Sequence, residues 1–212
     1  QSEYERLKGF LEAQQAEQTL FYLSVPPGAA NGIVDFLGKA GLNTAAYKIL
    51  FEKPFGFDLT SAKEFIARTA EYFKEEQLYR IDHYMAKEVA AELLRLRRNA
   101  ENHHYHWNNR SVKAITVVAT ETIGIEGRAQ FYEQTGALRD FVQGHLLQLL
   151  SLVLMQNPRP ENLPVQRLKA LQNLIPVDPE RATRAQYETY QYEVENPGSQ
   201  TETFVAFLIA SA

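Results

Sequence analysis

The chain has 212 residues, 45% of them apolar, which is enough for one large domain or two small ones with a buried core. Its formal net charge of -4 argues against a general nucleic-acid binder and against a membrane-surface protein. The sequence has no cysteine, which excludes disulfides, thiol catalysis and cysteine-ligated metal sites and is compatible with the cytoplasm; no apolar run reaches the roughly 18 residues of a membrane span.

The residue pattern in the first quarter of the chain predicts alternating helices and strands. The predicted elements are an amphipathic helix over residues 1–17, a buried strand over 19–25, a helix over 30–37 and a second buried strand over 47–51. A strand, a helix and a strand in succession form a unit whose two strands run parallel. Because ligands of open parallel sheets bind at the carboxyl ends of the strands, Lys53 stands at a favourable position for ligand contact.

The elements that follow are longer and less regular. Asp58 or Thr60 can cap a long helix that begins near Ser61, whose apolar positions continue to Leu78 with a break before Tyr79. The remaining predicted elements are a helix over 86–98, a β-branched strand over 112–121, a buried helix over 137–154, a turn over 157–164, a short helix over 165–174, a strand over 187–195 and a strand over 202–210.

Residues 79–88, with the sequence YRIDHYMAKE, carry the densest set of reactive side chains in the chain. On a helix His83 and Lys87 share a face, and Tyr84 and Lys87 are also neighbours. Such a face suits one small anion, for example a sugar phosphate, and Asp82 could orient an imidazole elsewhere in the fold. The alternative from spacing alone is a solvated helix surface with an ion pair.

Other candidate residues also allow two interpretations. His145 lies among apolar neighbours, which fits a hydrogen-bonded core histidine or a general base. Asp140 precedes it by five residues, so a regular helix would not place both on one face, and we expect Asp140 at the helix entry. Glu121 at the end of its strand could be a binding carboxylate or a solvated one. A metal site at His103, His104 and His106 is disfavoured because no second ligand pair accompanies them.

Three segments of the chain carry a family resemblance. Residues 80–88 resemble the substrate motif of the glucose-6-phosphate dehydrogenases, Arg-Ile-Asp-His-Tyr-Leu-Gly-Lys-Glu, with Met85 and Ala86 in place of Leu and Gly. Residues 52–56 (EKPFG) and 121–148 (ETIGIEGRAQFYEQTGALRDFVQGHLLQ) resemble two other family segments, in the family's order. The similarity runs from about residue 20 to the end and weakens over 97–107 and 158–195.

The resemblance implies a fold and an activity. It implies an α/β plus α+β protein, in which residues 1–75 form the end of a Rossmann-like coenzyme domain. Residues 76–212 would form part of an α+β substrate domain with a mostly antiparallel sheet. The implied reaction is oxidation of glucose 6-phosphate at C1 to 6-phosphoglucono-lactone with hydride transfer to NADP, the first step of the pentose phosphate pathway. The resemblance also implies a cytoplasmic homo-oligomer.

The resemblance assigns roles residue by residue. It makes His145 the general base and Asp82 the carboxylate that orients it. It assigns phosphate binding to His83, Tyr84 and Lys87, and binding of the sugar hydroxyls to Glu121 and Asp140. Lys53 would lie between substrate and nicotinamide, and Pro54 would contact the cofactor. The resemblance implies no metal site. Gly144 stands where the family has Asn, and glycine weakens a helix.

The sequence contains no Gly-rich dinucleotide loop after an early strand. We therefore expect this chain to hold the core of the substrate site and to lack most of the cofactor site, and the choice between NADP and NAD is left open. Two alternatives to the dehydrogenase reaction are also left open. One is a non-catalytic fragment that binds sugar phosphate or docks to a partner. The other is a relative that acts on another sugar phosphate, which Ala86 and Gly144 permit.

Overall fold

The protein divides into two compact units, Gln1–Asp82 and His83–Ala212. The structure is a computed structural model and describes residues 2–25, 27–56, 58–102, 107–156 and 159–211. Within these residues, no helix combines the length and the apolar character needed to cross a membrane.

The first unit is a three-stranded parallel sheet with helices between its strands. Its elements in chain order are α1 (Ser2–Gln14), β1 (Thr19–Leu23), α2 (Pro27–Lys39), β2 (Tyr47–Phe51), α3 (Leu59–Ala70), a 3-10 turn (Glu75–Gln77) and β3 (Leu78–Arg80). The strand order is β1-β2-β3, and both pairings are parallel. The parallel pairing predicted for the first two strands is therefore confirmed.

The core of this unit forms where α2 and α3 pack against the sheet. Val34 and Leu37 of α2 and Ile49 of β2 are almost completely buried. The prediction that the first strand is buried is wrong for one of its faces. Successive side chains of a strand point to opposite faces, so Phe21 packs on the core while Leu20 is 53% exposed.

The predicted long helix from Ser61 towards Leu78 is shorter in the structure. Asp58 caps α3 as expected, since its Oδ1 accepts the Ser61 N–H at 2.8 Å. The helix ends at Ala70, and Leu78 begins a strand that pairs with Ile49. Pairing with β2 thus overrides the helical periodicity of this segment.

The side chain of Gln77 ties β3 to the loop before β2. Its Nε2 donates to the carbonyl oxygens of Thr44 and Tyr47, each at 2.8 Å, and its Oε1 accepts the Lys74 N–H at 3.0 Å. Gln77 is only 7% exposed, so these backbone groups have little access to water. The amide therefore fixes the start of β3, the strand that leads to Asp82.

We predict that Gln77→Glu lowers the free energy of unfolding by at least about 2 kcal/mol at pH 7, because a buried carboxylate would face two carbonyl oxygens. The carbonyls raise the folded-state pKa of the new carboxyl above its unfolded value. The penalty is therefore present at neutral pH and fades as the pH falls towards about 4. Denaturant unfolding of the variant and the parent at pH 7 and at about pH 4 measures the difference in the free energy of unfolding. Gln77→Met, which has no charge, is the control and should show no such pH dependence; a pH-independent loss in both variants would contradict the prediction.

The second unit is mainly helical, with two short antiparallel strand pairs. Its elements are α4 (Glu88–Asn102), α5 (Ala129–Ala137), a π-helix (Leu138–Leu146), α6 (Leu147–Leu154), a 3-10 turn (Pro160–Asn162), α7 (Leu163–Gln172), β4 (Leu174–Ile175), a 3-10 turn (Pro179–Arg181), β5 (Thr183–Ala185), α8 (Tyr190–Glu193), β6 (Phe204–Ala206) and β7 (Ala210–Ser211). β4 pairs with β7, and β5 pairs with β6. Ala90, Leu149 and Leu152 belong to the apolar core between α4, α6 and α7.

Three predicted strands of this unit differ from the structure. Residues 112–121 form no strand, because they find no ladder partner in the described part of the chain, and most of their side chains are exposed. Residues 187–195 contain the short helix α8 instead, where Tyr190 is fully buried and donates its hydroxyl to Glu133 at 2.7 Å. The strand predicted over 202–210 is interrupted, since β6 and β7 pair with different partners.

The predicted helix over 137–154 is confirmed in extent but has two kinds of winding. Its first part is the π-helix and its second part is α6, and α5 leads into it through a kink at Gly136. Glu202 holds this entry, because its carbonyl accepts the Ala137 N–H and its Oε1 accepts the Leu138 N–H, each at 2.9 Å. These bonds satisfy backbone donors that a helix start leaves without partners.

Gly136 has φ 62° and ψ 176°, a conformation that is essentially restricted to glycine. A Cβ at this position would also lie 2.5 Å from Glu202 Oε1. We predict that Gly136→Ala destabilises the protein by about 1–3 kcal/mol.

The matched control for this change is Gly144→Ala, at a helical position where a Cβ would meet only the Arg139 carbonyl oxygen at an ordinary 3.6 Å. Alanine favours helix over glycine, so this variant should be neutral or up to about 1 kcal/mol more stable. Denaturant unfolding of the two variants gives both values. Equal stability of Gly136→Ala and the parent would contradict the role of the kink.

Candidate functional site

Lys53 and Asp82 lie at the carboxyl edge of the sheet in the first unit. β2 and β3 are parallel, and Phe51 pairs with Arg80. Each of the two candidate residues stands two positions after one of these partners, so the register brings them together. Lys53 Nζ lies 3.2 Å from Asp82 Oδ1, and both side chains are mostly buried.

The backbone after Lys53 also has a defined form. The Lys53–Pro54 peptide bond is cis, although most X–Pro bonds in proteins are trans. Ile81 N–H donates to the Phe51 carbonyl at 2.9 Å, which continues the pairing of the two segments beyond β3. The strand ends therefore hold a lysine, a cis-proline and an aspartate at the edge where parallel sheets bind ligands.

The segment that opens the second unit is a turn rather than the helix assumed for the spacing of His83 and Lys87. Ala86 N–H donates to the His83 carbonyl at 3.2 Å, and Lys87 N–H donates to the Tyr84 carbonyl at 3.3 Å. α4 begins only at Glu88. The helix on which His83 and Lys87 were expected to share a face is therefore not formed, and His83 lies in a turn five residues before α4.

This turn and the π-helix bring four rings together, which we call the imidazole–aromatic cluster: His83, Tyr84, Phe141 and His145. The Tyr84 ring stacks on the His145 ring at 4.1 Å between centroids, with 21° between their planes. His83 meets His145 edge-on at 4.7 Å. Phe141 meets His145 edge-on at 5.6 Å. The cluster therefore fixes the His145 imidazole from several sides.

A positive charge lies against this cluster. Lys87 Nζ is 3.7 Å from the centroid of the Tyr84 ring, within the range of a cation–π contact. His83 and Lys87 are exposed, whereas Tyr84 and His145 are half-buried. The predicted phosphate-binding residues and the predicted base thus share one continuous set of contacts in the second unit, with the charged groups on its outer side.

The π-helix changes the relation between Asp140 and His145. A π-helix joins residues five positions apart, so a five-residue spacing brings two side chains towards the same face. The expectation that Asp140 lies at the helix entry is confirmed, because Asp140 stands in the first turn of the π-helix. The argument from the five-residue spacing applied to a regular helix, and this segment is wound differently. The signal in the sequence was weak, because no simple residue pattern distinguishes π winding from α winding.

Asp140 is half-buried beside a guanidinium. Burial raises the pKa of its carboxyl, while Arg128, whose Nη1 lies 3.6 Å from Asp140 Oδ2, opposes that rise. The pKa of nearby Tyr132 is raised to about 12, mainly by burial and further by the charge of Asp140. Asp140 is therefore a partly desolvated acceptor, the kind of group that binds hydroxyls well.

The remaining candidates are not brought into these groups. Glu121 is exposed on the segment that forms no strand, and no hydrogen bond or ion pair of its side chain occurs in the described part of the protein. His103, His104 and His106 lie outside the described residues. Within the described ranges, no three His, Asp or Glu side chains are grouped as they would be around a metal ion.

Sequence reasoning missed two features of these sites. The pairing of Lys53 with Asp82 depends on β3, whose first residue, Leu78, was predicted as the end of a helix and whose other two residues were not predicted as a strand. Phe141 was given no role in the sequence analysis, although its ring packs edge-on against Tyr84 at 5.8 Å. Its spacing of four residues from His145 was the available signal, since residues four apart are neighbours on a helix.

Family models match almost the whole chain. Residues 1–91 match the model described as glucose-6-phosphate dehydrogenase, NAD binding domain. Residues 94–211 match the model described as glucose-6-phosphate dehydrogenase, C-terminal domain. The two matches follow one another in the same order as the two compact units.

Individual relatives agree with the family models. A glucose-6-phosphate 1-dehydrogenase of Helicobacter pylori is 38% identical over 198 residues, covering 92% of this chain and 46% of the relative. A protein named glucose-6-phosphate 1-dehydrogenase 6, cytoplasmic, of Arabidopsis thaliana is 34% identical over 98% of this chain and 42% of its own length. The chain thus spans somewhat less than half the length of these curated relatives.

Solved structures show the same likeness. The crystal structure of glucose-6-phosphate 1-dehydrogenase from Mycobacterium avium has a TM-score of 0.85 and 35% identity, covering 98% of this chain and 47% of that one. A glucose-6-phosphate dehydrogenase in complex with its substrate glucose 6-phosphate has a TM-score of 0.87 and 32% identity, covering 99% and 47%. Together with the family models, these similarities show that the chain belongs to the glucose-6-phosphate dehydrogenase family.

Proposed function

We propose that this chain provides the glucose 6-phosphate site of a dehydrogenase that oxidises the sugar at C1 to 6-phosphoglucono-lactone, with NADP as hydride acceptor. The observation that carries the proposal is the imidazole–aromatic cluster. It places the predicted base, His145, in contact with Tyr84 and His83 of the predicted phosphate-binding segment. Membership of the family and a relative solved with glucose 6-phosphate support the same substrate.

The proposed chemistry begins with proton removal. A neutral His145 takes the proton of the C1 hydroxyl as hydride leaves C1, so that the C1–O bond becomes a carbonyl. The role of Asp82 as the carboxylate that orients His145 stays a prediction. The stack on Tyr84 supports the role of His145, since a general base must keep a fixed orientation towards the proton that it removes.

The proposed substrate contacts use charge and hydrogen bonding. Lys87 and His83 bind the 6-phosphate, since both are exposed and one carries a fixed positive charge. The Tyr84 hydroxyl would add a donor to the same phosphate. We assign the sugar hydroxyls to Asp140, whose half-buried carboxylate accepts hydrogen bonds, and to Glu121.

The cofactor side of the proposal rests on the strand ends of the first unit. The residues present that fit a nicotinamide dinucleotide are Lys53 and Pro54, which follow β2 at the carboxyl edge of a parallel sheet. The cofactor, when bound, accepts the hydride. We also propose that Lys53 lies between substrate and nicotinamide. Its ion pair with Asp82 restrains the ammonium there.

Other parts of the proposal come from the family. We propose that residues 1–75 act as the end of the coenzyme domain and residues 76–212 as part of the substrate domain, with a larger, mostly antiparallel sheet in the whole protein. We also propose a cytoplasmic homo-oligomer. Binding of sugar phosphate without turnover stays the alternative for this chain alone, because its sequence has no Gly-rich dinucleotide loop. Glucose 6-phosphate binding without NADPH formation would favour that alternative.

We predict that His145→Ala in the whole enzyme lowers kcat by about 10²–10⁴-fold, the usual contribution of a general base, while KM for glucose 6-phosphate changes by only a few-fold. The assay follows NADPH absorbance. The matched control is His83→Ala, a second imidazole of the same cluster, which should raise KM more than it lowers kcat. Undiminished turnover in His145→Ala would remove the base assignment.

We predict that Lys87→Met raises KM for glucose 6-phosphate by about 10–150-fold, because it removes a charge-assisted hydrogen bond to the phosphate that is worth about 1.5–3 kcal/mol. Turnover of unphosphorylated glucose, which lacks the anion, should change much less. Arg95→Met is the control, since Arg95 lies on α4 and its contact is a 3.8 Å pair with Glu92. An equal fold-loss of kcat/KM with glucose and with glucose 6-phosphate would contradict phosphate binding by Lys87.

A further inference from the structure

We propose that Tyr84 is a positioning residue for His145, whose ring sets the plane of the imidazole independently of any contact that the Tyr84 hydroxyl makes with phosphate. This inference rests on the proposed function, in which His145 is the base. It assigns two separable tasks to one side chain: the ring acts on the base, and the hydroxyl acts on the substrate.

The geometry of the stack supports the first task. The two rings lie 4.1 Å apart with 21° between their planes, so the imidazole presents a face to Tyr84. Both nitrogens of an imidazole lie in the ring plane, and hydrogen bonds to them run along that plane. A partner on the face therefore restricts rotation of the ring and leaves its nitrogen edges able to take part in proton transfer.

Other rings complete the restraint on His145. His83 approaches with 68° between planes and Phe141 with 75°, both edge-on arrangements that aromatic rings favour. Rotation of the imidazole away from the Tyr84 plane would turn it against these two rings. Within this cluster, only the Tyr84 contact is face-to-face, so this contact defines the plane.

Tyr84 can fix the plane of the imidazole because contacts with other residues restrain its own ring. Lys87 Nζ lies 3.7 Å from its ring centroid, and Phe141 meets the ring edge-on at 5.8 Å. Its backbone carbonyl accepts the Lys87 N–H, and its side chain packs against the apolar core of the second unit. An exposed phosphate ligand would not need this support, whereas a residue that orients a base does.

The test separates the ring from the hydroxyl with two variants. Tyr84→Phe keeps the ring and should raise KM for glucose 6-phosphate while retaining most of kcat. Tyr84→Leu removes the ring and should lower kcat by about 100-fold relative to Tyr84→Phe, the usual loss when a reacting group is misplaced by about 1 Å. Tyr192→Leu, at a tyrosine that is 86% exposed, is the control and should change neither value. Equal kcat in the Phe and Leu variants would overturn the proposal.

A second readout needs no turnover. NMR of the substrate-free protein with labelled histidine should show the His145 proton signals shifted by the Tyr84 ring current, with assignment from their loss in His145→Ala. The shift should persist in Tyr84→Phe and disappear in Tyr84→Leu. If Tyr84→Leu does not fold, nuclear Overhauser contacts between the two rings in the unaltered protein decide, and their absence overturns the proposal. Because this readout requires no dehydrogenase activity, failure of the proposed function and failure of the positioning role are distinguishable.

Discussion

The stack of Tyr84 on His145 joins two segments that are far apart in the sequence, the turn before α4 and the π-helix. Each segment alone carries only part of the proposed chemistry. The turn carries an imidazole, a phenol and an ammonium, and the π-helix carries a carboxylate and a second imidazole. Ring packing against a common apolar core holds them at fixed distances, so phosphate binding and proton removal can act on one molecule of substrate.

The π-helix itself depends on local features that are costly to change. Gly136 takes a conformation that other residues avoid, and Glu202 accepts two backbone N–H groups where the π winding begins. The unusual winding then places Asp140 and His145 towards one face. A glycine and a glutamate that lie outside every predicted catalytic role thus form the entry to the helix that carries two of the proposed functional residues.

Much of the first unit follows from local sequence rules. The strand over residues 47–51, the Asp58 cap and the parallel pairing were predicted because apolar runs, capping residues and crossover connections have clear physical signatures. β3 was not, since three residues carry little periodicity and its strand state comes from pairing with β2. In the second unit, residues 112–121 have high strand propensity but no ladder partner in the described part of the chain. The candidate residues were found through motifs; their contacts depend on register and winding, which motifs do not encode.

In the proposed mechanism, His145 removes the proton of the C1 hydroxyl from a sugar whose phosphate lies against Lys87 and His83. A crystal structure of the whole protein with glucose 6-phosphate tests it most directly. We predict a His145 ring nitrogen within about 2.6–3.2 Å of the C1 hydroxyl oxygen, and phosphate oxygens in contact with Lys87. A phosphate bound elsewhere, or a C1 hydroxyl out of hydrogen-bond reach of His145 with the sugar fully ordered, would contradict the account.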